Sequence, residues 1–286
     1  MGVDATAMPE RGAVTVSTVR SLTAACRLPR LETRMLLEQA LRRPRAWLLA
    51  HDDEPLPEAA VQLFLEWVRR REAGEPMAYL LGEREFMGWM FEVTPDVLIP
   101  RPDTETLVAT AQDIIRDRPA VRVLDLGTGS GAIAISLALM CPDAVVYASD
   151  ASRAALAVAR RNGERLNAAV QWHQGDWYAA LADVEPGFDL IVSNPPYIAS
   201  EDPHLAQGDL RFEPTTALTD GADGLQALRA IVQGAGAWLK PGGWLWLEHG
   251  WDQAQAVRAL LLTYGFAEVG SRCDLAGIER ISGGRR

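Results

Sequence analysis

The tetrapeptide Asn194-Pro195-Pro196-Tyr197 carries the most specific chemistry in the chain. Two successive prolines fix φ and remove two backbone N–H donors, so neighbouring carbonyls are left unpaired and rigidly aimed. The Asn194 side-chain oxygen and the Pro195 carbonyl can then both accept from one planar NH2 group, while Tyr197 covers the face of its π-system. An amide or aniline-type nitrogen is a poor nucleophile because its lone pair is delocalised. Two acceptors hold such a nitrogen in place and favour the positive charge that develops on it as a methyl group arrives. Orientation and electrostatic preorganisation supply most of the rate, and the proton can leave after transfer without a strong general base.

A second constellation is Gly127-Thr128-Gly129-Ser130-Gly131. Its G-x-G-x-G spacing differs from the G-x-G-x-x-G of dinucleotide binders and suits a nucleoside with an amino-acid tail, which has no pyrophosphate to cradle. Asp150 follows about twenty residues on, where a carboxylate can take both ribose hydroxyls as donors. Alone, that residue fits a nicotinamide or a methionyl nucleoside equally. Asp125, just before the loop, can orient loop amides, meet a ligand ammonium or simply cap the turn. Asp176 can face an adenine amino group and Trp177 its flank, and Asn194 closes the set. These polar and aromatic strand tips along one edge describe one nucleoside-shaped ligand, a combination found in class I S-adenosylmethionine-dependent methyltransferases.

Such residues need a scaffold that gathers strand ends. Residues 15–73 read as helix, with Thr15 or Ser17 capping the first segment. Leu31, Met35, Leu36 and Leu41 share one face of the next, and Val61, Phe64, Leu65 and Val68 point inward from a third. From Tyr79 to Ile99, short extended stretches broken by Gly82, Gly88 and Pro95 predict a β-hairpin. Asp103 is a candidate N-cap for a helix over 106–116. Strands over 121–127, 145–150, 170–176, 188–194 and 242–250 then alternate with helices, and closing strands fall near 265–273 and 278–282. Apolar strands separated by helices predict an α/β fold with a doubly wound, mostly parallel sheet and its ligands at the carboxyl ends of the strands. The expected organisation is a helical substrate-recognition domain over 1–76, a β-hairpin linker over 77–100 and a catalytic domain over 101–286.

The 286 residues carry 28 basic and 38 acidic side chains, a net charge of −10. That balance opposes a surface that coats nucleic acid, although a local basic groove stays possible. Cys26, Cys141 and Cys273 show neither a Cys-x-x-Cys pair nor Cys/His ligand spacing, so no metal is expected and buried reduced thiols are. The opening residues lack the apolar core of a signal peptide, and no run approaches the ~18 apolar residues that span a bilayer. A cytoplasmic, monomeric protein without membrane contact is the expectation. His249, next to Glu248 at a strand end, reads as structural.

With these motifs in place, the chain resembles the HemK/PrmC family over residues from about 77 to the C-terminus. The segments that carry the likeness are YLLGEREF (79–86), LIPRPDTE (98–105), LDLGTGSGAIAIS (124–136), GDW (175–177), SNPPYI (193–198), EDPHL (201–205), FEPTTALTDGADGL (212–225), LKPGGWLWLEHGWDQ (239–253) and the Asp274, Gly277, Arg280 ending. The first 70 residues resemble the family's N-terminal domain in length and character. The resemblance implies an N5-glutamine methyltransferase acting on class 1 peptide chain release factors. It places S-adenosyl-L-methionine over Gly127–Gly131, Asp150 on the ribose and Trp177 beside the adenine. It also gives Asn194 to Tyr197 the glutamine amide of a Gly-Gly-Gln loop and sets Arg101–Glu105 near the pocket mouth. Phe86-Met87-Gly88-Trp89 departs from the family pattern, which leaves the hairpin's contacts open. The rival reading is methylation of an exocyclic amine of adenine or cytosine, which needs a flipped or single-stranded base. A binding scaffold without catalysis is a further rival, opposed by undamaged motif positions. The G-x-G-x-G spacing and the lack of an obvious proton donor disfavour a nicotinamide dehydrogenase.

Overall fold

The computed structural model describes residues 16–286 and divides them into two compact units, one ending at Leu81 and the other spanning Gly82–Arg286. The first unit is helical: α1 (Val19–Ala25), α2 (Arg30–Leu41), α3 (Arg45–Ala50), α4 (Glu58–Glu72) and α5 (Met77–Leu81). Its core is built from Val19, Leu22, Leu36, Leu37, Leu48, Val61, Phe64 and Leu80. Thr18 caps α1 in a reciprocal capping box with Ser21, so Ser17 does not serve, and Thr15 lies outside the described residues. Leu31 and Leu65 are exposed instead of inward, because the apolar stripe is narrower than a simple tally of leucines suggests. Residues 79–81, expected as extended chain, instead end α5, which starts at Met77 and closes the bundle. Leu80 buries in the core there, and packing overrides local pattern.

In the second unit, β1 (Glu83–Phe86) and β2 (Trp89–Glu92) pair antiparallel as a hairpin. Met87 (φ 52°) and Gly88 (φ 85°) form its two-residue turn, whose left-handed backbone matches strand twist. Phe86 and Phe91 meet edge to face and sink into the core of this unit. Then follow α6 (Glu105–Ile115), β3 (Arg122–Leu126), α7 (Ala132–Met140), β4 (Val145–Asp150), α8 (Arg153–Leu166), β5 (Val170–Gln174), β6 (Phe188–Ser193), α9 (Thr215–Leu218), α10 (Gln226–Trp238), β7 (Leu239–Glu248), α11 (Ala254–Thr263), β8 (Ala267–Cys273) and β9 (Glu279–Arg285). Asp103 does not cap α6. It sits in a 3-10 turn over Pro102–Thr104 and pairs with Arg280 at 3.3 Å.

The seven-stranded sheet has the order β5-β4-β3-β6-β7-β9-β8. The first five strands are parallel, and β9 and β8 join antiparallel. Alternate residues feed two cores: Val123, Leu190 and Val192 face α6 and α7, whereas Leu124, Ile191 and Leu245 face α10 and α11. Burial on both faces explains why β6 is apolar almost throughout. Near its start Asp189 accepts from Lys240 Nζ at 2.7 Å, Arg118 Nη2 at 2.8 Å and the Arg122 N–H at 3.0 Å. Ser152 caps α8 through the Ala155 N–H, as expected. The chain leaves β3 for β4 and β5 on one side and returns to β6 on the other, which puts the switch point beside β3. Cys141 is buried, but Cys26 is partly exposed and Cys273 exposed; all three are free thiols. No helix among the described residues is long and apolar enough to cross a membrane.

Candidate active site

At the carboxyl edge of the sheet one cavity collects Gly127, Thr128, Gly129 and Ser130 after β3, Asp150 at the end of β4, Asp176 and Trp177 after β5, and Asn194 and Pro196 after β6. Phe86, Leu98, Arg101 and Thr104 form an opposing wall, and Pro214 and Thr216 a third. Asp125, Gly131, Pro195 and Tyr197 stand just outside the lining and support it.

The glycine loop is shaped by its own backbone. Gly131 has φ 85°, and a Cβ there would meet Ile135 Cδ1 at 2.8 Å and Ala159 Cβ at 3.2 Å, so only glycine lets α7 start this close to α8. Asp125 lies buried below the loop and accepts from the Thr128 hydroxyl at 2.6 Å. Burial pushes its carboxyl up to about 7, against that hydrogen bond. Of the roles open to Asp125, turn organiser is the one its geometry displays. Asp150 accepts from the Gly129 N–H and the Ser152 N–H, each at 2.8 Å. Burial raises its pKa while these two donors pull it down. Trp177, at φ 41°, brings its ring against Gly127, where an added Cβ would be 3.5 Å away.

The Asn-Pro-Pro-Tyr segment is held from behind. The Ser193 hydroxyl donates to the Leu126 carbonyl at 2.6 Å, tying the end of β6 to β3. Asn194 Nδ2 donates to Thr104 Oγ1 at 3.2 Å, which leaves Oδ1 as the atom it offers to a ligand. Pro195 is buried and Pro196 faces the cavity. The Tyr197 hydroxyl donates to Glu248 Oε1 at 3.3 Å, and burial keeps that phenol protonated far above neutral pH. Gln253 Nε2 donates to the carbonyls of Tyr197 at 3.0 Å and Gly224 at 3.2 Å. A Cβ on Gly224 would stand 2.4 Å from the Tyr197 oxygen, so this clamp requires glycine. Glu213 is buried and accepts from the Ile99 N–H at 3.1 Å and from Arg101, pinning the two outer walls together.

Thr104, Glu248 and Gln253 lie within the segments LIPRPDTE and LKPGGWLWLEHGWDQ that carry the family likeness, but nothing in those segments marks them as supports of Asn194 and Tyr197. His249 is structural: Nε2 meets Ser282 Oγ at 2.7 Å within the sheet.

Comparison with known proteins gives two family models, the PrmC N-terminal domain over residues 16–82 and the methyltransferase small domain over residues 103–209. A release factor glutamine methyltransferase of Bordetella pertussis is 63% identical over 93% of this chain and 98% of its own. That of Burkholderia pseudomallei is 56% identical over 94% and 96%, and that of Salmonella typhimurium 44% over 90% and 92%. Among solved structures, a T. thermophilus 16S rRNA methyltransferase in complex with AdoMet and guanosine aligns with a TM-score of 0.54 at 22% identity, covering 71% of this chain and 49% of that one. A methyltransferase from Pyrococcus furiosus aligns at 0.53 and 19%, covering 77% and 98%. At such identities the likeness is one of fold, and it is the class I methyltransferase fold.

Proposed function

The chain belongs to the release factor glutamine methyltransferase family, and from that premise we propose that it methylates the side-chain amide nitrogen (N5) of the glutamine in the Gly-Gly-Gln motif of class 1 peptide chain release factors, with S-adenosyl-L-methionine as donor and S-adenosyl-L-homocysteine as product. The observation that carries this reading is the orientation of Asn194: its Nδ2 donates to Thr104 Oγ1, which leaves the oxygen as the end that can accept from a substrate NH2.

The cavity's donors and acceptors fit the cofactor. Each Asp150 oxygen serves one backbone N–H, and a carboxylate has about four acceptor positions, so two remain for ribose hydroxyls. Trp177 and Asp176 stand where an adenine ring and its amine would lie, and Gly127, Gly129 and Ser130 line the path of the amino-acid tail. Asp125 serves from below by holding Thr128. When bound, the cofactor supplies a methyl group on a positively charged sulfur.

The residues of the chain do the rest. Asn194 Oδ1 and the Pro195 carbonyl accept both hydrogens of the glutamine amide, turning the nitrogen lone pair toward the methyl. Pro196 keeps the backbone rigid, and Tyr197 covers the amide plane. As nitrogen gains positive charge, these fixed acceptors stabilise it without reorganising. The surplus proton then leaves to water. The helical unit contacts the release factor away from its glutamine, and its exposed Leu31, Leu49 and Leu65 are apolar side chains suited to that task. The protein acts as a monomer in the cytoplasm.

The test is incubation with isotope-labelled S-adenosyl-L-methionine and a purified release factor, with single-stranded and duplex DNA in parallel, followed by mass spectrometry. One labelled methyl on the motif glutamine is expected. Label on an exocyclic base amine, and none on the release factor, would overturn the assignment.

A further inference from the structure

We propose that Asn162 is a positioning residue for the cofactor: from outside the cavity it ties the glycine loop to the hairpin on the facing wall, and so fixes the space in which the methyl donor sits. The inference rests on the S-adenosyl-L-methionine reading and deepens it.

Asn162 lies on α8 and is fully buried. Its Oδ1 accepts from the Glu92 N–H at 2.7 Å, and its Nδ2 donates to the Glu92 carbonyl and to the Ser130 carbonyl, each at 2.9 Å. Arg165 Nη2 adds a longer contact to Oδ1 at 3.3 Å. The hairpin has only two strands, so the edge of β2 away from β1 has no strand to pair with. Asn162 pairs there in place of a strand, offering Glu92 one donor and one acceptor as a peptide group would. Its second Nδ2 hydrogen goes to Ser130, and an amide has only two to give. Two carbonyls and one N–H therefore fix which end is nitrogen. An ionised aspartate would keep the shape but bring no hydrogen to either carbonyl, and leucine would bring neither donor nor acceptor.

The elements that this amide joins are walls of the cavity. Ser130 lines it from the glycine loop and Phe86 from the hairpin. The helix rests directly on the loop, since a Cβ on Gly131 would meet Ala159 Cβ at 3.2 Å. Ala159 and Asn162, three residues apart, share that face of α8. Next to Asn162, Arg161 also reaches the hairpin, with Nη2 2.7 Å from a Glu92 carboxylate oxygen. That ion pair is 49% and 32% exposed and contributes little. Two buried carbonyls stripped of their donor lose more. Without Asn162 the loop and the hairpin wall can shift independently, and the cofactor has to order them as it binds. The cost falls on cofactor affinity. Asn194 to Tyr197 follow β6, and none of them is a partner of Asn162, so the hold on the substrate amide is untouched.

The experiment uses the full chain. It measures S-adenosyl-L-homocysteine binding by calorimetry, the melting temperature with and without that ligand, and kcat and both KM values with a purified release factor. In Asn162→Ala the dissociation constant and the KM for S-adenosyl-L-methionine should rise about tenfold. Turnover at saturating cofactor and the KM for the release factor should stay near wild type. Asn162→Ser, whose hydroxyl is too short to span both walls, should behave alike. The rise in melting temperature on adding ligand should shrink in both variants, which a loss of stability alone does not produce. Arg161→Ala, which removes only the exposed ion pair, should bind as wild type does. Phe86→Leu trims the hairpin wall, and it should cost less affinity in the Asn162→Ala background than in the wild type, because the wall is no longer held against the loop. Wild-type affinity in Asn162→Ala, equal losses in Arg161→Ala, or fully additive losses in the double variant would overturn the proposal. Failure of both Asn162 variants to fold would assign the residue to folding and overturn it too. A wild type that binds no S-adenosyl-L-homocysteine would overturn the cofactor reading and the proposal with it. A wild type that binds it but leaves the release factor unmethylated, with Asn162→Ala binding about tenfold more weakly, would overturn the glutamine reading alone.

Discussion

Asn194 and Asp150 both line the cavity, yet their substitution should fail in different ways. Asn194→Ala removes an acceptor that matters most when charge develops on nitrogen, so kcat should drop by about two to three orders of magnitude. Cofactor affinity, read by calorimetry, should stay near wild type; strong residual turnover on a release factor would exclude the assigned role. Asp150→Ala removes a charged acceptor and also releases the Gly129 and Ser152 amides it organises. Cofactor affinity should weaken by about 1.5–3 kcal/mol, the usual worth of hydrogen bonds to a charged group, and an unchanged calorimetric titration would refute the ribose contact. Asn194 was legible because it sits in a short motif of sequence neighbours, and Asp150 because it ends a strand about twenty residues after the glycine loop. Thr104, Glu248 and Gln253 were not legible as a unit, since they act on the Asn-Pro-Pro-Tyr segment across 90, 51 and 56 residues. Only the folded sheet brings the ends of β6 and β7 and the turn before α6 to one place. The sequence reading of Tyr197 as a cover for the substrate amide also omitted its hydroxyl, which is anchored on Glu248.

At the scale of elements, two buried carboxylates hold segments that the cavity depends on. Glu213 joins the loop before α9 to Ile99 and Arg101 on the opposing wall. Glu213→Ala should let the walls part, raising KM for the cofactor by roughly tenfold, the cost of about one charged hydrogen bond; unchanged affinity and turnover would show that the walls hold without it. Asp189 on β6 gathers Lys240, Arg118 and the Arg122 amide. Burial alone would raise its pKa, but these donors and charges outweigh burial and hold it below the ordinary carboxylate range. A depressed folded-state pKa means the stabilisation is complete above the unfolded value of about 4 and vanishes as pH falls through the lower folded value. Urea unfolding should therefore show Asp189→Asn less stable than wild type by roughly 2 kcal/mol at neutral pH, with the gap closing in strong acid. A gap that persists there would place the effect in packing. The sheet itself was readable, because parallel strands buried on both faces are apolar runs set between helices. The short α5 and the turn at Pro102–Thr104 were not, since five apolar residues suit strand and helix equally until packing decides.

Over the whole molecule, the net charge of −10 excluded a nucleic-acid-coating surface but pointed to no partner. The described residues form two units, each with its own buried core. The residues proposed to hold the cofactor and the substrate amide all belong to Gly82–Arg286. If the helical unit serves recognition alone, a fragment over 82–286 should keep cofactor affinity, because no lining residue is lost. It should also methylate a short peptide carrying the Gly-Gly-Gln motif about as fast as the full chain. On a folded release factor, however, kcat/KM should fall by at least about tenfold, the worth of a single interface contact of 1.4 kcal/mol. The comparison separates recognition from catalysis, since both substrates present the same amide to the same residues. Equal losses on peptide and protein would mean that the helical unit supports the active site itself. No loss on either would leave the release factor recognised wholly by the catalytic unit.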